Sequence, residues 1–318
     1  MINAKFAICN EVFDNYLLLL NLDKSRLVLI GIMGCGKKEE VKKVDFNKRV
    51  EIPVKVEEEE IRIAVSAMIS PKEIFSYYQQ ILDYIGDKLG RKVKLVQRKT
   101  YAEVNELMRK GELEAAFVCS GPYVEGKKEF GMELLVAPQS HGEAVYYSYI
   151  IVHKDSPIKS IEGLKGKTFA FTDPYSNTGK LVPTYELAKM GKTPDSYFAK
   201  YIFTHSHDNS IEAVAEKIVD GAAVDHLIFE YLKATNPKYT SLTKIVKKLG
   251  PFGMPPFVVR PGLSPLLKNQ IKEILLKMHQ DEKGKNILKG IFIDRFVVVD
   301  DHLYDSVRQM QDWLAKQE

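Results

Sequence analysis

The sequence predicts an α/β protein with two lobes, and two observations support this prediction. Short apolar runs alternate with amphipathic, helix-like stretches along most of the 318 residues, a pattern typical of strands covered by helices on both faces of a sheet. A long apolar run over 145–152 then separates this first series from a second series that starts near Lys167. The chain is long enough for two hydrophobic cores. We therefore expect two α/β lobes with mostly parallel sheets, joined by two crossing segments.

The first 58 residues are expected to belong to neither lobe. Lys24 and Arg26 precede an apolar run over 27–34 that ends at Cys35, as in a lipoprotein-type export signal that is too short to span a bilayer. We predict an export signal over 1–34, a lipid on Cys35 and a flexible, highly charged linker over 35–58. A buried apolar segment with an incidental cysteine is the alternative.

The first lobe is predicted to begin at residue 59 and to run to residue 150. Its predicted strands cover 61–65, 93–96, 114–119 and 133–137, and its predicted helices cover 70–89 and 101–109, with a further helix starting at Ser120. In sheets of this kind, ligands lie beyond the carboxyl ends of the strands. Tyr101 and Ser120 fall at such ends, so both are candidate ligand-binding residues.

The second lobe is predicted to cover 151–255, with the first lobe completed by 256–318. We interpret 145–152 as the first crossing and 257–259 as the return. Between them we predict strands at 167–171, 200–203 and 221–224 and helices at 178–190, 208–219 and 225–234, and after them helices near 264–279, 281–288 and 302–316.

The stretch from Asp173 to Gly179 carries the strongest functional signal. It follows a predicted strand, so Ser176, Asn177 and Thr178 would be the cap and the first residues of a helix. Free backbone N–H groups, short polar side chains and the positive end of the helix dipole meet there, which suits a tetrahedral oxyanion. Gly179 would let an anion approach the backbone closely. An ordinary helix cap is the alternative.

Composition excludes several classes of protein. The net charge is +4, and the basic residues are scattered among acidic ones, unlike the clustered Lys and Arg of a nucleic-acid-binding protein. Cys9, Cys35 and Cys119 have neither the spacing of a zinc site nor that of a disulfide framework. The chain has no Walker or dinucleotide-binding fingerprint. We therefore expect no cofactor and no nucleic-acid partner.

The histidines raise two further possibilities, a metal site and a catalytic triad. His205, His207, Asp208 and His226 could form a metal cluster, but zinc needs four well-placed ligands and no fourth ligand can be placed. Ser176, His207 and Asp208 could form a catalytic triad, but an adjacent His and Asp at a helix start point in different directions. We therefore expect neither a metal site nor an enzyme.

The order of these motifs resembles that of the substrate-binding components of phosphate, phosphite and phosphonate ABC transporters, over about residues 58–300. The resemblance is carried by residues 82–84, 99–102, 146–156, 161–167, 171–174, 176–179, 206–208 and 221–225. It implies a type II periplasmic-binding-protein fold, in which two α/β lobes close on a solute.

The resemblance also implies which side chains hold the phosphorus oxygens. They are Ser176, Asn177 and Thr178, the hydroxyls of Tyr101 and Tyr146 reaching in from the first lobe, and His207, which titrates near neutrality and donates more strongly when it is charged. Asn177 departs from the Thr-Ser pair that the family often has at 177–178, but its amide can still donate. Asp225 is either a further ligand contact or a helix N-cap.

The resemblance implies that the protein captures a phosphorus oxyanion outside the cytoplasmic membrane, in the periplasm or at the cell surface. We expect a monomer that delivers its ligand to an ABC transporter permease. Family members that bind aminophosphonates use carboxylates, whereas Leu227 and Pro255 stand at the loosely corresponding positions here, which favours phosphate, phosphite or a simple alkylphosphonate. The alternatives are a sensor-type ligand-binding protein and a binder of another small anion such as an organic sulfonate.

Overall fold

The computed structural model describes residues 60–68 and 75–317, and these residues lie in one compact unit. The predicted export signal, the linker and the lipid on Cys35 fall outside the described residues and stay predictions. Within the described ranges, no helix combines the length and the apolar character that a membrane crossing requires.

Strands and helices alternate along most of the described chain, as predicted. The strands are β1 (Ile61–Val65), β2 (Val93–Gln97), β3 (Ala115–Phe117), β4 (Glu133–Gln139), β5 (Val145–His153), β6 (Thr168–Phe171), β7 (Lys200–Phe203), β8 (Gly221–Asp225), β9 (Thr243–Gly253), β10 (Phe257–Val259) and β11 (Arg295–Val297). The helices are α1 (Phe75–Leu89), α2 (Tyr101–Arg109), α3 (Ser120–Phe130), α4 (Val182–Lys189), α5 (Pro194–Tyr197), α6 (His207–Ala215), α7 (His226–Thr235), α8 (Pro265–Lys277), α9 (Glu282–Gly290) and α10 (Asp305–Ala315).

The first sheet has six strands in the order β11-β4-β10-β3-β1-β2. β1 lies between β2 and β3 and runs parallel to both of them. Ile61 and Ile63 are fully buried on β1, since their side chains alternate with that of Arg62 and face the core. They belong to the same apolar cluster as Phe117 and Phe257, whose rings meet edge to face with centroids 4.7 Å apart. This core lies under helices α1 and α8.

The second sheet has five strands in the order β7-β6-β8-β5-β9. The interpretation of 145–152 as a crossing is wrong, because β5 pairs with β8 and β9 as an inner strand of this sheet. Ile150 and Ile151 point to opposite faces of β5, and both are fully buried. A strand covered on both faces is apolar along its length, which explains why the run looked too long for one strand.

The chain changes sheets between Gln139 and Val145 and returns between Gly253 and Phe257. The second sheet therefore spans 145–253, against the predicted second lobe of 151–255. Both sheets are mixed rather than mostly parallel, because the strands next to the two changes run antiparallel to their neighbours. The parallel strands β1, β2 and β3, and likewise β6, β7 and β8, keep their carboxyl ends together in each sheet.

Candidate ligand-binding site

Most of the predicted site residues, together with Ser66, lie buried at the carboxyl ends of strands from both sheets. In chain order these positions are Ser66 after β1, Tyr101 after β2, Ser120 after β3, Ser176–Thr178 after β6, His207 after β7 and Asp225 at the end of β8. None of these residues is more than 2% exposed. Burial of so many polar side chains at the ends of parallel strands is typical of a ligand site in an α/β protein.

Direct hydrogen bonds hold the ends of the two sheets together. The backbone N–H of His207 donates to the carbonyl of Met68 at 3.2 Å. The backbone N–H of Tyr101 donates to Oδ2 of Asp173 at 3.3 Å, and Oδ1 of Asp173 accepts from the N–H of Tyr175 at 2.8 Å. Asp173 thus fixes its own loop and the first residue of α2 at the same time.

The loop after β6 begins a helix at Ser176, as predicted. Ser176 is the N-cap, and its Oγ accepts a hydrogen bond from the N–H of Gly179 at 3.0 Å. The first turn, Asn177–Leu181, is π-helical, with the N–H of Leu181 donating to the carbonyl of Ser176 at 2.9 Å, and it leads directly into α4. The Oγ of Ser148 donates to the carbonyl of Thr178 at 2.7 Å and so anchors this turn to β5.

Gly179 has a different role from the one expected. A Cβ at this position would lie 2.4 Å from Oγ1 and 2.6 Å from Cβ of Thr172, and 3.0 Å from Oγ of Ser176. The glycine is therefore required because protein atoms pack against it. The side chains of Thr172 and Ser176 fill the space beside Gly179, so the missing Cβ does not open a path for an anion.

Several buried polar side-chain atoms at the strand ends have no hydrogen-bond partner among the described protein atoms. They are Ser66 Oγ, Tyr101 OH, Asn177 Oδ1, Thr178 Oγ1 and His207 Nε2. An unpaired buried polar group costs about 1–3 kcal/mol, so native structures contain few of them. Their concentration at the ends of β1, β2, β6 and β7 indicates a site whose ligand would supply the missing partners.

His207 is a neutral donor in this structure. Its Nδ1 accepts from the backbone N–H of Asp225 at 3.1 Å and lies 3.0 Å from Oγ1 of Thr172. Because an N–H group can only donate, Nδ1 carries no proton, and the proton of the neutral ring is on the unpartnered Nε2. Burial lowers the pKa of His207 to about 3. The expectation that His207 titrates near neutrality is therefore wrong, and Nε2–H is a fixed, uncharged donor.

Tyr101 is fully buried, and its hydroxyl has no partner. Its phenol is held neutral, because burial raises the pKa of Tyr101 well above the ordinary value, with smaller contributions from Cys119 and Asp173. The hydroxyl of Ser176 is near enough to act in the opposite direction and lower the pKa of Tyr101, although the two hydroxyls form no hydrogen bond of ordinary geometry. The hydroxyl of Tyr101 is therefore a second uncharged donor, and it comes from the first lobe.

Tyr146 belongs to the second lobe and not, as expected, to the first lobe. It lies on β5 in the second sheet, whereas the resemblance placed it on the first lobe. Its hydroxyl accepts from Nδ2 of Asn177 at 3.0 Å and lies 3.1 Å from Oγ of Ser120. Ser120 Oγ also lies 2.6 Å from the carbonyl of Gly253, to which it donates. Tyr146 and Ser120 are thus engaged with protein atoms and position Asn177.

Asp225 is the N-cap of α7, which was one of the two interpretations offered for it. Its Oδ1 accepts from the N–H of Leu227 at 2.8 Å. Burial raises the pKa of its carboxyl to about 7, although the N–H groups of Leu227 and Ile228 act in the opposite direction. Through its own backbone N–H, the same residue orients His207.

Ser66 and Thr172 also belong to this arrangement, and neither was predicted from the sequence. Ser66 directly follows β1, so the rule that ligands lie beyond strand ends could have identified it. Thr172 contacts His207 through its Oγ1 and packs against Gly179, and only the folded arrangement reveals that role.

The alternative chemistries find no support in the geometry. Within the described ranges, no three His, Cys, Asp or Glu residues lie together in a way that could hold a metal ion. His226 uses its Nδ1 to accept from the N–H of Tyr147 at 3.0 Å. In the triad considered from the sequence and rejected there, Asp208 would orient His207, but the Nδ1 of His207 contacts Thr172 and Asp225 instead.

A family model and the curated relatives of the chain identify its family. Residues 63–304 match the family model described as the periplasmic substrate-binding protein of phosphonate ABC transporters. The chain is 26% identical to the phosphonates-binding periplasmic protein of Escherichia coli over 81% of this chain and 78% of that protein. It is 27% identical to a phosphate-import protein of Mycolicibacterium smegmatis over 80% of this chain and 85% of that protein.

A solved structure with a similar fold is that of a transporter component of the same kind. It is the binding-protein component of a phosphonate ABC transporter from Pseudomonas aeruginosa, with a TM-score of 0.75 and 27% sequence identity. The superposition covers 79% of this chain and 85% of that chain.

Proposed function

Because the chain belongs to the family of periplasmic substrate-binding proteins of phosphonate ABC transporters, we propose that it captures a phosphorus oxyanion, namely phosphate, phosphite or a phosphonate, between its two lobes. The observation that carries the proposal is the set of buried, unpartnered donors at the strand ends, drawn from both sheets. The names of its relatives support the same ligand class, since one is a phosphonates-binding protein and another a phosphate-import protein.

The proposed mechanism uses uncharged donors. Thr178 and His207 belong to the second lobe and would bind oxygens of the ligand beside the first turn of the helix that Ser176 caps. Ser66 and Tyr101 belong to the first lobe and would complete the shell. Since neither pair alone surrounds the anion, the ligand gains its full set of hydrogen bonds only when the lobes are together, and binding favours that state.

Partners and location follow from the same proposal. The solute-loaded protein would dock on an ABC transporter permease, and the protein would work as a monomer outside the cytoplasmic membrane, anchored by the lipid on Cys35. N-terminal sequencing and mass spectrometry of the mature protein would test the anchor, since a lipid-free protein that retains Met1 contradicts it.

Isothermal titration calorimetry of the purified chain in phosphate-free buffer tests the ligand class. We expect binding of phosphate, phosphite or methylphosphonate, and weaker or no binding of sulfate and methanesulfonate. A thermal-shift series with the same compounds gives an independent reading, because a ligand at a hundredfold excess over its dissociation constant stabilises the folded state by about 2.7 kcal/mol. Absence of binding by every phosphorus compound would overturn the proposal, and preference for the sulfonate would replace it with an organic-sulfonate binder.

A further inference from the structure

A cavity of about 210 Å³ lies next to the donor cluster, between the start of α7 and the loops that follow strands of the first sheet. Apolar side chains make up much of its wall, namely Met68, Tyr78, Phe117, Leu227, Met254 and Pro255. Phe117, Met254 and Pro255 are buried, so this wall is part of the fold and not a surface irregularity.

Two residues that line this cavity form hydrogen bonds with His207, one of the buried, unpartnered donors. Asp225 lines the cavity, and its backbone N–H donates to Nδ1 of His207. Met68 lines the cavity as well, and its carbonyl accepts the backbone N–H of the same histidine. The cavity is therefore separated from His207, which would hold a phosphorus oxygen, only by residues that contact this histidine directly.

The polar residues around the cavity already have partners in the protein. Asp225 caps α7, and His226 accepts from the N–H of Tyr147. Glu230 accepts from the hydroxyl of Tyr149 and pairs with Lys233, while Ser140 donates to the carbonyl of Phe292. Asp225 and Glu230 are the acidic groups that line the cavity, and burial raises the pKa of Asp225 to about 7.

We propose that this cavity receives the apolar substituent of the ligand, so that the preferred substrates are phosphonates with an alkyl chain of several carbons or an aromatic ring on phosphorus. The inference rests on the proposed function, because it assumes that the phosphorus oxygens bind at Thr178 and His207. The size is sufficient, since an apolar cavity of about 150 Å³ accommodates a benzene ring.

A ligand series on the full chain tests the proposal by calorimetry. From methylphosphonate through n-propylphosphonate to n-butylphosphonate we expect the affinity to rise about fourfold per methylene, which corresponds to ~0.8 kcal/mol for each buried CH₂. Phenylphosphonate should also bind more tightly than methylphosphonate. The pair n-propylphosphonate and 2-aminoethylphosphonate is the sharpest comparison, because the two differ in a terminal methyl against an ammonium group. The propyl compound should bind more tightly.

A substitution in the wall tests whether this cavity is the site of the effect. Leu227→Asn keeps the branched shape at Cγ but replaces two methyl groups of the apolar wall with an amide. We expect it to weaken n-butylphosphonate and phenylphosphonate roughly tenfold while methylphosphonate changes little. Leu266→Asn is the matched control, because Leu266 is 70% exposed on α8 and should leave all affinities unchanged.

The outcomes separate the two proposals. If phosphate and methylphosphonate bind but longer chains bind no more tightly, or if 2-aminoethylphosphonate binds more tightly than its propyl counterpart, the apolar subsite is overturned and the proposed function stands. An equal loss for all ligands in Leu227→Asn would likewise count against the subsite. If no phosphorus compound binds, both proposals fail.

Discussion

The hydroxyl of Thr178 shows how single residues in the proposed site leave a buried polar atom without a partner. Its Oγ1 is buried and unpartnered, although the backbone carbonyl of the same residue is held by Ser148. His207 follows the same principle, since one ring nitrogen is fixed by the protein and the other is left without a partner. At this scale the protein gives up internal hydrogen bonds that a ligand could later restore.

Thr178→Val should weaken binding of the tightest phosphorus ligand by roughly tenfold to a hundredfold, because a hydrogen bond to a charged group is worth about 1.5–3 kcal/mol. The free energy of unfolding without ligand should stay the same or rise slightly, since the substitution removes an unpaired buried hydroxyl. Calorimetry and urea denaturation measure the two effects. Thr240→Val is the control, because its Oγ1 is also buried without a partner but lies outside the site. Unchanged affinity in Thr178→Val would remove this hydroxyl from the ligand shell.

The pKa of Asp225 predicts a dependence of stability on pH. The pKa rises from 3.8 to about 7 on folding, so between these values the folded state alone holds the proton. The resulting stabilisation is complete below 3.8 and is lost as pH rises through 7. Asn is an equally good N-cap. The difference between the thermal midpoints of Asp225→Asn and the wild type should therefore shift in favour of the variant as pH rises from acidic to slightly alkaline values.

The comparison must be made between the variant and the wild type at each pH. The pKa of His207 falls from 6.5 to about 3 on folding, so its contribution is present above 6.5 and is lost as pH falls. This opposite trend is common to both proteins and cancels in the difference. A difference that does not vary with pH would show that Asp225 is ionised in the folded protein.

At the scale of elements, the π-helical turn before α4 depends on a close approach between two backbone segments. The turn places Gly179 against the side chain of Thr172, which in turn contacts His207. The site is therefore shaped by the packing of one turn against the end of β6, and π-helical turns of this kind are frequent at functional sites.

Gly179→Ala should lower the free energy of unfolding by about 1–3 kcal/mol, because the new methyl group would overlap Thr172. Gly163→Ala is the matched control, since its nearest neighbour would be Cγ2 of Ile158 at 3.1 Å, a much looser contact than 2.4 Å, and we expect a smaller loss. Chemical denaturation of both variants measures the difference. Equal stability of Gly179→Ala and the wild type would show that this packing is dispensable.

Elements with a regular apolar pattern could be predicted, and those shaped by their position in the sheet could not. β1 and the cap at Ser176 follow from local sequence alone. β9 was missed, because it is an edge strand with exposed lysines such as Lys247 and Lys248, which protect the sheet edge but look like a loop in sequence. Tyr146 was placed on the wrong lobe, because only strand pairing decides to which sheet β5 belongs.

At the scale of the whole molecule, the donors come from two lobes between which the chain crosses twice. Ser66 lies after β1 in the first sheet, and Thr178 lies after β6 in the second. If a ligand bridges the two, their contributions become linked through the ligand even though each belongs to its own lobe.

A double-mutant cycle with Ser66→Ala and Thr178→Val should reveal this link. Without ligand, the two changes in unfolding free energy should add within about 0.5 kcal/mol, whereas the two changes in binding free energy should deviate from additivity by at least that amount. Denaturation and calorimetry on the four proteins provide both values. Full additivity in binding would mean that one of the two hydroxyls does not contact the ligand.

The uncharged character of the donors has a consequence for the surroundings in which the protein can work. Ser66, Tyr101, Thr178 and the neutral His207 hold no mobile counterions that an arriving anion must displace, and their burial removes them from ionic screening. The dissociation constant should therefore change little between fresh water and brine. A binding protein with uncharged donors would therefore retain its affinity for a dilute solute when the salt concentration of its surroundings changes.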